Sequence, residues 1–489
     1  MADAPREIEL KLELEPGKAR RLAAHPLLAG GKGEAQDQSS TYFDTKKGAL
    51  RKAGFTLRVR NAGDRRVQTV KAAAADGAGL FDRDEWETPV DGEVPDLAAL
   101  ATTPAAAALG GEGARKLKPL VRSEVCRTRW DLRLDGAAIE LVLDEGVVSA
   151  GKAMQDFCEI ELELKEGEPE ALFAAGRALG ADLPLRLGVL TKAERGFALA
   201  DGTLDKVAKS EPVALAAEMS VADGFGMIVA ACLRHFRRNE PLILAARDPG
   251  ALHQARVAMR RLRSAFSLFG PALKDERFEA LRGELRWFTE KLGDARNLDV
   301  FLARGEGDAR ARRTLQNARD KAYDVVVQAL ASKRFRLLML DLVAWTATGD
   351  WRRRRKARGE LADFARARLG RLWEKVAARG LLLRRLDEET RHRLRIDIKK
   401  LRYAVEFLAS LWPDAPDRKR FAAALEAMQE SLGHLNDMAT ARLLHAELGL
   451  AAPPADAAHE AAEEERHLAA TEKAFSRLKR AGPFWHLVA

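Results

Sequence analysis

Cysteine is scarce in this chain: Cys126, Cys158 and Cys232 are the three in 489 residues, without C-x-x-C spacing. That excludes a disulfide framework and a thiolate zinc cluster, and leaves the three as small buried hydrophobes. Long apolar runs are also missing. No stretch approaches the roughly 18 apolar residues of a spanning helix, and the opening Met-Ala-Asp-Ala-Pro-Arg leads straight into charged sequence without a signal-type apolar region. The expectation is a soluble, cytoplasmic protein with no membrane partner. Aromatic residues make up 6% of the chain and include three tyrosines, which gives no sign of a base pocket or of the stacking platforms used by single-strand binders. Helix-turn-helix and RNA-binding signatures are absent, so no specific nucleic-acid partner is expected.

What is present is apolar mass and unevenly placed charge. Hydrophobic residues reach 47%, enough for substantial cores, and the length exceeds what one core usually serves, so two or more domains are expected. Residues 1–210 carry a net charge of −4 and residues 211–489 one of +13, together the +9 of the chain. An acidic-rich front suggests cation chemistry, and a basic rear suggests a polyanion.

The front reads mostly as strands. Glu7–Glu15, Gln38–Asp44, Thr56–Arg60, Val67–Lys71, Asp84–Pro89, Arg122–Leu134, Ala138–Val148 and Phe157–Leu164 alternate or favour β-branched and aromatic residues. Turns such as Asn61-Ala-Gly-Asp64 and Asp135-Gly136 suit antiparallel hairpins. Helices are predicted over Pro16–Ala24, Asp96–Leu109 and Glu168–Leu179. Because strand side chains alternate faces, Glu7, Glu9 and Lys11 share one face, as do Glu159, Glu161, Glu163 and Lys165. The same spacing places Arg58 with Arg60, Thr69 with Lys71, Glu85 with Glu87, Arg127 with Arg129 and Glu140 with Asp144, and Lys192-Ala-Glu-Arg195 is read in the same way. A single such strand is ordinarily a solvated edge. Two acidic rows plus several basic faces point instead to an antiparallel barrel with a wet interior, where Arg and Lys grip phosphate oxygens and carboxylates hold a hard divalent cation. That combination suits phosphoryl transfer, with charge neutralised by the cations and water oriented or deprotonated by free carboxylates.

Beyond a looser stretch at Asp201–Ala222, strand signals nearly vanish and helical periodicity takes over, punctuated by Asp248-Pro-Gly250, Gly270-Pro271, Gly380, Trp412-Pro413 and Pro453-Pro454. His253, Arg256, Arg260 and Arg263 fall within about 80° of one another on a helix. His392, Arg395, Lys399 and Arg402 repeat the offsets 139 residues later. About forty residues past each stripe come Leu292-Gly293 with Arg296-Asn297-Leu298-Asp299, and Leu432-Gly433 with Asn436-Asp437. A duplicated all-α bundle of about four helices per copy follows. A lone basic stripe is usually a solvated face. A duplicated one favours an anion opposite, with salt-sensitive binding. Metal ligation by the two histidines is disfavoured because arginines, not acids, flank them. Trp351-Arg-Arg-Arg-Arg-Lys356 reads as a solvated helix end.

Glu7-Ile-Glu-Leu-Lys11, Tyr42-Phe-Asp-Thr45, Leu57-Arg58-Val59-Arg60, Thr69-Val70-Lys71, Glu85-Trp86-Glu87, Glu159-Ile-Glu161 and Lys192…Arg195-Gly196, in this order, resemble the CYTH family of triphosphate tunnel metalloenzymes over roughly residues 5–200. The resemblance implies a β tunnel that binds a triphosphate with Mg²⁺ or Mn²⁺ and hydrolyses inorganic triphosphate. It implies that Glu7, Glu9, Glu159 and Glu161 hold metal or activate water, that Lys11, Arg58, Arg60, Lys71, Arg127, Lys192 and Arg195 bind the phosphate chain, and that Glu85 and Glu87 orient these groups or join the metal shell. Adenylate cyclases and nucleoside or thiamine triphosphatases share the family and stay open as alternatives, as does a non-catalytic scaffold at polyphosphate granules.

The stretches Leu252–Arg263, Leu292–Asp299 and His392–Tyr403 resemble the α-helical CHAD family over about residues 220–480. That implies two helical bundles related by a pseudo-twofold axis, binding of inorganic polyphosphate by the two stripes, and a place at polyphosphate granules. Asn297 stands where the family commonly has Asp, and His434 is a weaker site candidate. The expected fold is thus multi-domain α and β: an N-terminal antiparallel β-barrel tunnel (α+β) over residues 1–202, a linker over 203–220, and a C-terminal all-α duplicated bundle over 221–485 with repeats at about 221–345 and 355–485. The sequence carries no signature of an oligomeric state.

Overall fold

The computed structural model describes residues 6–74, 77–304, 309–447 and 457–486. They form two compact units. One comprises residues 1–209, 233–255 and 327–349, and the other residues 210–232, 256–326 and 350–489.

The first unit is built on nine strands: β1 (Arg6–Glu13), β2 (Glu34–Thr45), β3 (Phe55–Ala62), β4 (Arg65–Ala72), β5 (Leu80–Pro89), β6 (Leu117–Leu134), β7 (Ala137–Ala150), β8 (Ala153–Glu166) and β9 (Arg186–Leu187). All pair antiparallel in the order β5-β4-β3-β2-β6-β7-β8-β1-β9, and β5 also pairs with β1, which closes the first eight into a barrel. Every sequence-predicted strand lies wholly or largely within one of these, as the alternation required. β9, only two residues long, has no counterpart among the predicted strands.

The barrel wears its oil outside. Leu10, Leu12, Leu57, Val59, Val70, Leu141, Leu143, Ile160 and Leu162 are all buried, although the charged residues between them point the other way. Phe43, Leu57, Val59 and Val70 pack beneath Leu50, Leu100, Ala105 and Leu109 of the helices Ala49–Lys52, Leu97–Ala101 and Ala105–Gly113. Leu10 lies under the helix Glu170–Asp182, close enough that a Cβ on Gly176 would come 3.0 Å from its Cδ2 and 3.4 Å from Leu340 Cδ2. Residues 333–348 belong to this unit for that reason, and Arg177 pairs with Asp341 at 2.8 Å in the same contact. The Tyr42–Thr45 motif has a local task. The buried Asp44 carboxylate accepts the N–H groups of Thr45, Leu50 and Arg51 and so fixes the turn into the helix Ala49–Lys52.

The rear is all-helical, with helices Val221–Ala246, Pro249–Leu273, Phe278–Arg304, Ala309–Ala331, Lys333–Thr348, Leu361–Gly380, Glu388–Leu408, Arg418–Glu447 and Ala457–Ala481. The two basic stripes occupy the second helix of each repeat, and the two Leu-Gly motifs the third. In the second unit Phe225 packs on Phe266, Phe269 and Trp351, with ring centroids 5.5 to 5.6 Å apart. Trp351, read from sequence as part of a solvated helix end, is therefore core, although Arg353 beside it is exposed. Gly270-Pro271 stays inside its helix near the C-terminus instead of breaking it. Pro453-Pro454 lies outside the described residues. Cys158 and Cys232 are buried as expected, whereas Cys126, on the opposite face of β6 from Arg127, is exposed. Among the described residues no helix is long and apolar enough to cross a membrane.

Candidate active site

Antiparallel register decides which charges meet. Lys11 of β1 stands opposite Glu161 of β8, Arg127 of β6 opposite Asp144 of β7, Asp144 in turn opposite Glu159, and Lys71 of β4 opposite Glu85 of β5. These residues share the inner face, where cross-strand neighbours of opposite charge attract.

At the centre are three carboxylates, Asp144, Glu159 and Glu161, with ligand oxygens all within 4.8 Å of one another. Three cations surround them. Lys192 Nζ lies 2.7 Å from Asp144, 2.5 Å from Glu159 and 2.9 Å from Glu161. Lys11 donates to Glu159 at 3.1 Å and also to Glu161. Arg127 grips Asp144 through two bonds of 2.8 and 2.6 Å and reaches Glu161 at 3.0 Å. A bidentate Arg–carboxylate pair of this kind is among the stronger hydrogen-bonded contacts. Lys11, Asp144 and Glu159 are at most 2% exposed, so water screens little of this charge.

The protonation states follow. Burial by itself raises the Glu161 carboxyl, but Lys11, Lys192 and Arg127 outweigh it and hold the group well below the usual carboxylate range. Asp144 is lowered in the same way, burial being overcome by Lys192 and Arg127. For Lys192 and Lys11 burial pulls the ammonium down, and the neighbouring carboxylates more than reverse it.

A second set adjoins the first. Glu7 accepts from Lys71 at 2.6 Å and from Arg83 at 3.2 Å, Arg83 also donates to Glu9 at 2.7 Å, and Lys71 lies 3.1 Å from Glu85. Arg60 and Thr69 both donate to Glu87 at 3.1 Å, and Arg58 stands 3.9 Å from Glu85. Crowding by Arg58, followed by burial, pushes Arg60 down to about 10.

One end of this interior is apolar. Tyr42, Val121, Val125, Val148 and Phe157 face inward there and pack against Ala193 and Phe197 of the helix Lys192–Ala200, which plugs the barrel. Lys192-Ala-Glu-Arg195 is thus helical and not extended. Thr191 and Glu194 form a reciprocal capping box, a signal that was present in the sequence as T-x-x-E. Lys192 opens the helix and points to the carboxylate trio, whereas Arg195 turns to Glu13 at 2.8 Å.

The front residues that the family resemblance assigned a role lie within these two inner sets except Arg195, whereas Arg129, Glu140, Glu163 and Lys165, grouped with them by strand face, pair among themselves nearer solvent. Sequence reasoning missed Arg83 and left Asp144 without a role. Both were legible by period: Arg83 is two residues before Glu85, and Asp144 is four after Glu140 on the same strand face.

In the second unit the basic helices meet. Arg260 of Pro249–Leu273 and Arg402 of Glu388–Leu408 lie over the same Tyr403 ring, with centroid distances of 5.6 and 4.6 Å. Arg261 pairs with Glu406 between the same helices. Arg256, Arg260, Arg395 and Lys399 are half-buried, while Arg263 and His392 are exposed; His253, which belongs to the first unit, is half-buried. Arg402 donates to Gln429 at 2.8 Å. His434 is exposed and stacks on His467 at 4.8 Å. Asn297 is half-buried on its helix, and the side chains of Asn436 and Asp437 lie outside the described residues.

The CYTH domain model matches residues 5–197, and the CHAD domain model matches residues 227–446. The chain carries a CYTH domain followed by a CHAD domain. A Haemophilus influenzae protein described as an inorganic triphosphatase is 28% identical over 206 residues, 40% of this chain and 54% of that protein, so the chain spans about half the length of this curated relative. The crystal structure of the CHAD domain from the plant Ricinus communis is 29% identical with a TM-score of 0.46, over 58% of this chain and 98% of that one. A Hippeastrum protein described as having a dominant triphosphatase activity is 20% identical with a TM-score of 0.32, over 39% and 95%.

The CYTH interior fits a hard divalent cation. Oxygen donors alone make up the trio, and Glu159 Oε2 is buried without a hydrogen-bond partner among the described residues. A buried carboxylate oxygen left open in this way costs stability unless an ion or donor meets it.

Proposed function

We propose that the CYTH domain hydrolyses inorganic triphosphate with Mg²⁺ or Mn²⁺, and that the CHAD domain binds inorganic polyphosphate and brings the protein to polyphosphate granules. The observation carrying the first part is the buried set of Lys11, Arg127 and Lys192 around Asp144, Glu159 and Glu161. A phosphate chain entering the barrel takes over these cations as counter-charges and frees the trio for metal. Asp144, Glu159 and Glu161 hold the ion, with Glu7 and Glu9 as the next carboxylates on the inner face. When bound, the metal supplies charge neutralisation on the phosphoryl oxygens.

The chain's own residues do the rest. Lys11, Arg58, Lys71, Arg83, Arg127 and Lys192 bind and align the phosphates, and Arg60 extends this set next to Glu87. A water oxygen bonds to the terminal phosphorus as the bridging P–O bond breaks. The carboxylate pair Glu7 and Glu9 accepts the water's proton, and the arginines stabilise the departing diphosphate.

Phosphate release from tripolyphosphate with Mg²⁺ or Mn²⁺, run beside ATP and long polyphosphate, tests the reading. Release from tripolyphosphate that is lost in Glu9→Ala and Lys11→Ala supports it, and no release by the wild type rejects it. For the CHAD domain, preference for polyphosphate over DNA at about 0.15 M salt, weakened by Arg256→Ala with Arg395→Ala, is the expected result. Equal affinity for both polyanions reduces the site to bulk charge.

A further inference from the structure

Two arginines from outside the barrel reach the segment that carries Lys192. Arg234 and Arg237 lie one turn apart on the helix Val221–Ala246, in the part that belongs to the first unit. Arg237, 5% exposed, donates through Nε to the Leu187 carbonyl at 2.7 Å and through Nη2 to Glu13 at 2.6 Å, and it pairs with Glu240. The other Glu13 oxygen accepts from Arg195 at 2.8 Å. Arg234 donates to the Val189 carbonyl at 2.6 Å, to the Gly77 carbonyl at 3.2 Å and to Glu194 Oε1 at 2.7 Å. The second Glu194 oxygen accepts the Thr191 N–H at 2.8 Å and so closes the capping box.

The nine residues from Leu187 to Arg195 are therefore held at Leu187, Val189, Glu194 and Arg195, with Lys192 between the held points. A lysine side chain has four rotatable bonds and no fork of its own to fix it. Its ammonium finds three carboxylates at once only if its backbone is placed for it. A purely structural ion pair looks different. Arg177 and Asp341 join the helix Glu170–Asp182 to the helix Lys333–Thr348, two elements that lie outside the Leu187–Arg195 segment.

We infer that Arg234 and Arg237 are positioning residues of the tunnel, holding the Leu187–Arg195 segment so that Lys192 meets Asp144, Glu159 and Glu161 and a phosphate chain. The phosphate part rests on the triphosphate reading above, and the positioning part does not.

The test uses the full chain with Arg234→Met, Arg237→Met and, as the structural control, Arg177→Met. Three readouts apply: Tm, tripolyphosphate binding by calorimetry in a chelator, and the rate at which an amine reagent labels Lys192, read by mass spectrometry. Expected in the two tunnel-facing variants is binding weaker by about tenfold or more, the loss of roughly one charged hydrogen bond's worth of order, together with faster Lys192 labelling. Arg237→Lys keeps the charge without the fork and should fall between. Arg177→Met should change Tm alone. Should the methionine variants not fold, Glu194→Gln, which keeps the cap oxygen and removes Arg234's counter-charge, carries the same readouts. Unchanged Lys192 labelling in folded variants overturns the inference, as does equal labelling in Arg177→Met. Absence of tripolyphosphate binding by the wild type overturns the triphosphate reading instead, with labelling still deciding the positioning.

Discussion

An ideal Cβ on Gly196 would lie 2.1 Å from Val121 Cγ1 and 2.9 Å from Val148 Cγ1. The plug helix touches the barrel wall through glycine because nothing larger fits. Gly196→Val should cost about 1–3 kcal/mol through overpacking, seen as a lower Tm. Val121→Ala should be destabilising alone yet restore part of the loss when combined with it. Additive losses in that double-mutant cycle would refute the contact.

Lys192→Met separates two roles. Removing one partner from a buried charge set costs about 3–5 kcal/mol, and the phosphate chain loses a counter-charge, so triphosphate hydrolysis should fall by about 10²-fold or more. The carboxylate trio meanwhile loses a cation that competes with metal. Mn²⁺ binding without substrate, measured by calorimetry, should tighten.

Stability should be flat across neutral pH and bounded on both sides by the same cluster. Asp144 and Glu161 are held below their ordinary values, so their contribution is complete above about pH 4 and is lost as pH falls further. Lys11 and Lys192 are held above theirs, so their contribution is complete below about pH 10 and declines as pH rises beyond it. Thermal melts against pH should show both limbs, and Glu161→Gln should flatten the acid one.

In the CHAD domain, partial burial and crowding by Arg286 and Arg282 outweigh the opposing pull of Glu290 and hold the Arg263 guanidinium below its ordinary range. Arg263→Ala should reduce the slope of log affinity for polyphosphate against log salt by about 1 with Tm unchanged. Arg402→Ala, which removes a side chain bonded to Gln429 and laid on Tyr403, should lower Tm as well.

Much of this was legible in the sequence, for a simple reason. Period-2 alternation fixes which side chains share a face, so Glu7, Glu9 and Lys11, and Glu159 with Glu161, could be grouped without coordinates. Which cation meets which anion could not be read, because it depends on register and on closure of β5 onto β1. Arg195 illustrates the limit. The family resemblance implied a phosphate ligand, whereas a helix places it about a turn from Lys192, on Glu13. The arginines at 234 and 237 look like ordinary helix-surface charge until the fold brings β9 beneath them.

β1 pairs with β5 and β9 along one edge and with β8 along the other, so Lys11 waits for a partner 150 residues downstream, whereas β3 with β4, β6 with β7 and β7 with β8 join neighbours in the chain. During synthesis β1 leaves the ribosome well before β5 and β8, its partners, and such long-range closure is slow. Strands exposed this long invite aggregation unless charge guards them. The acidic row on β1 is charge of the kind that keeps such a strand solvated until the ring is complete.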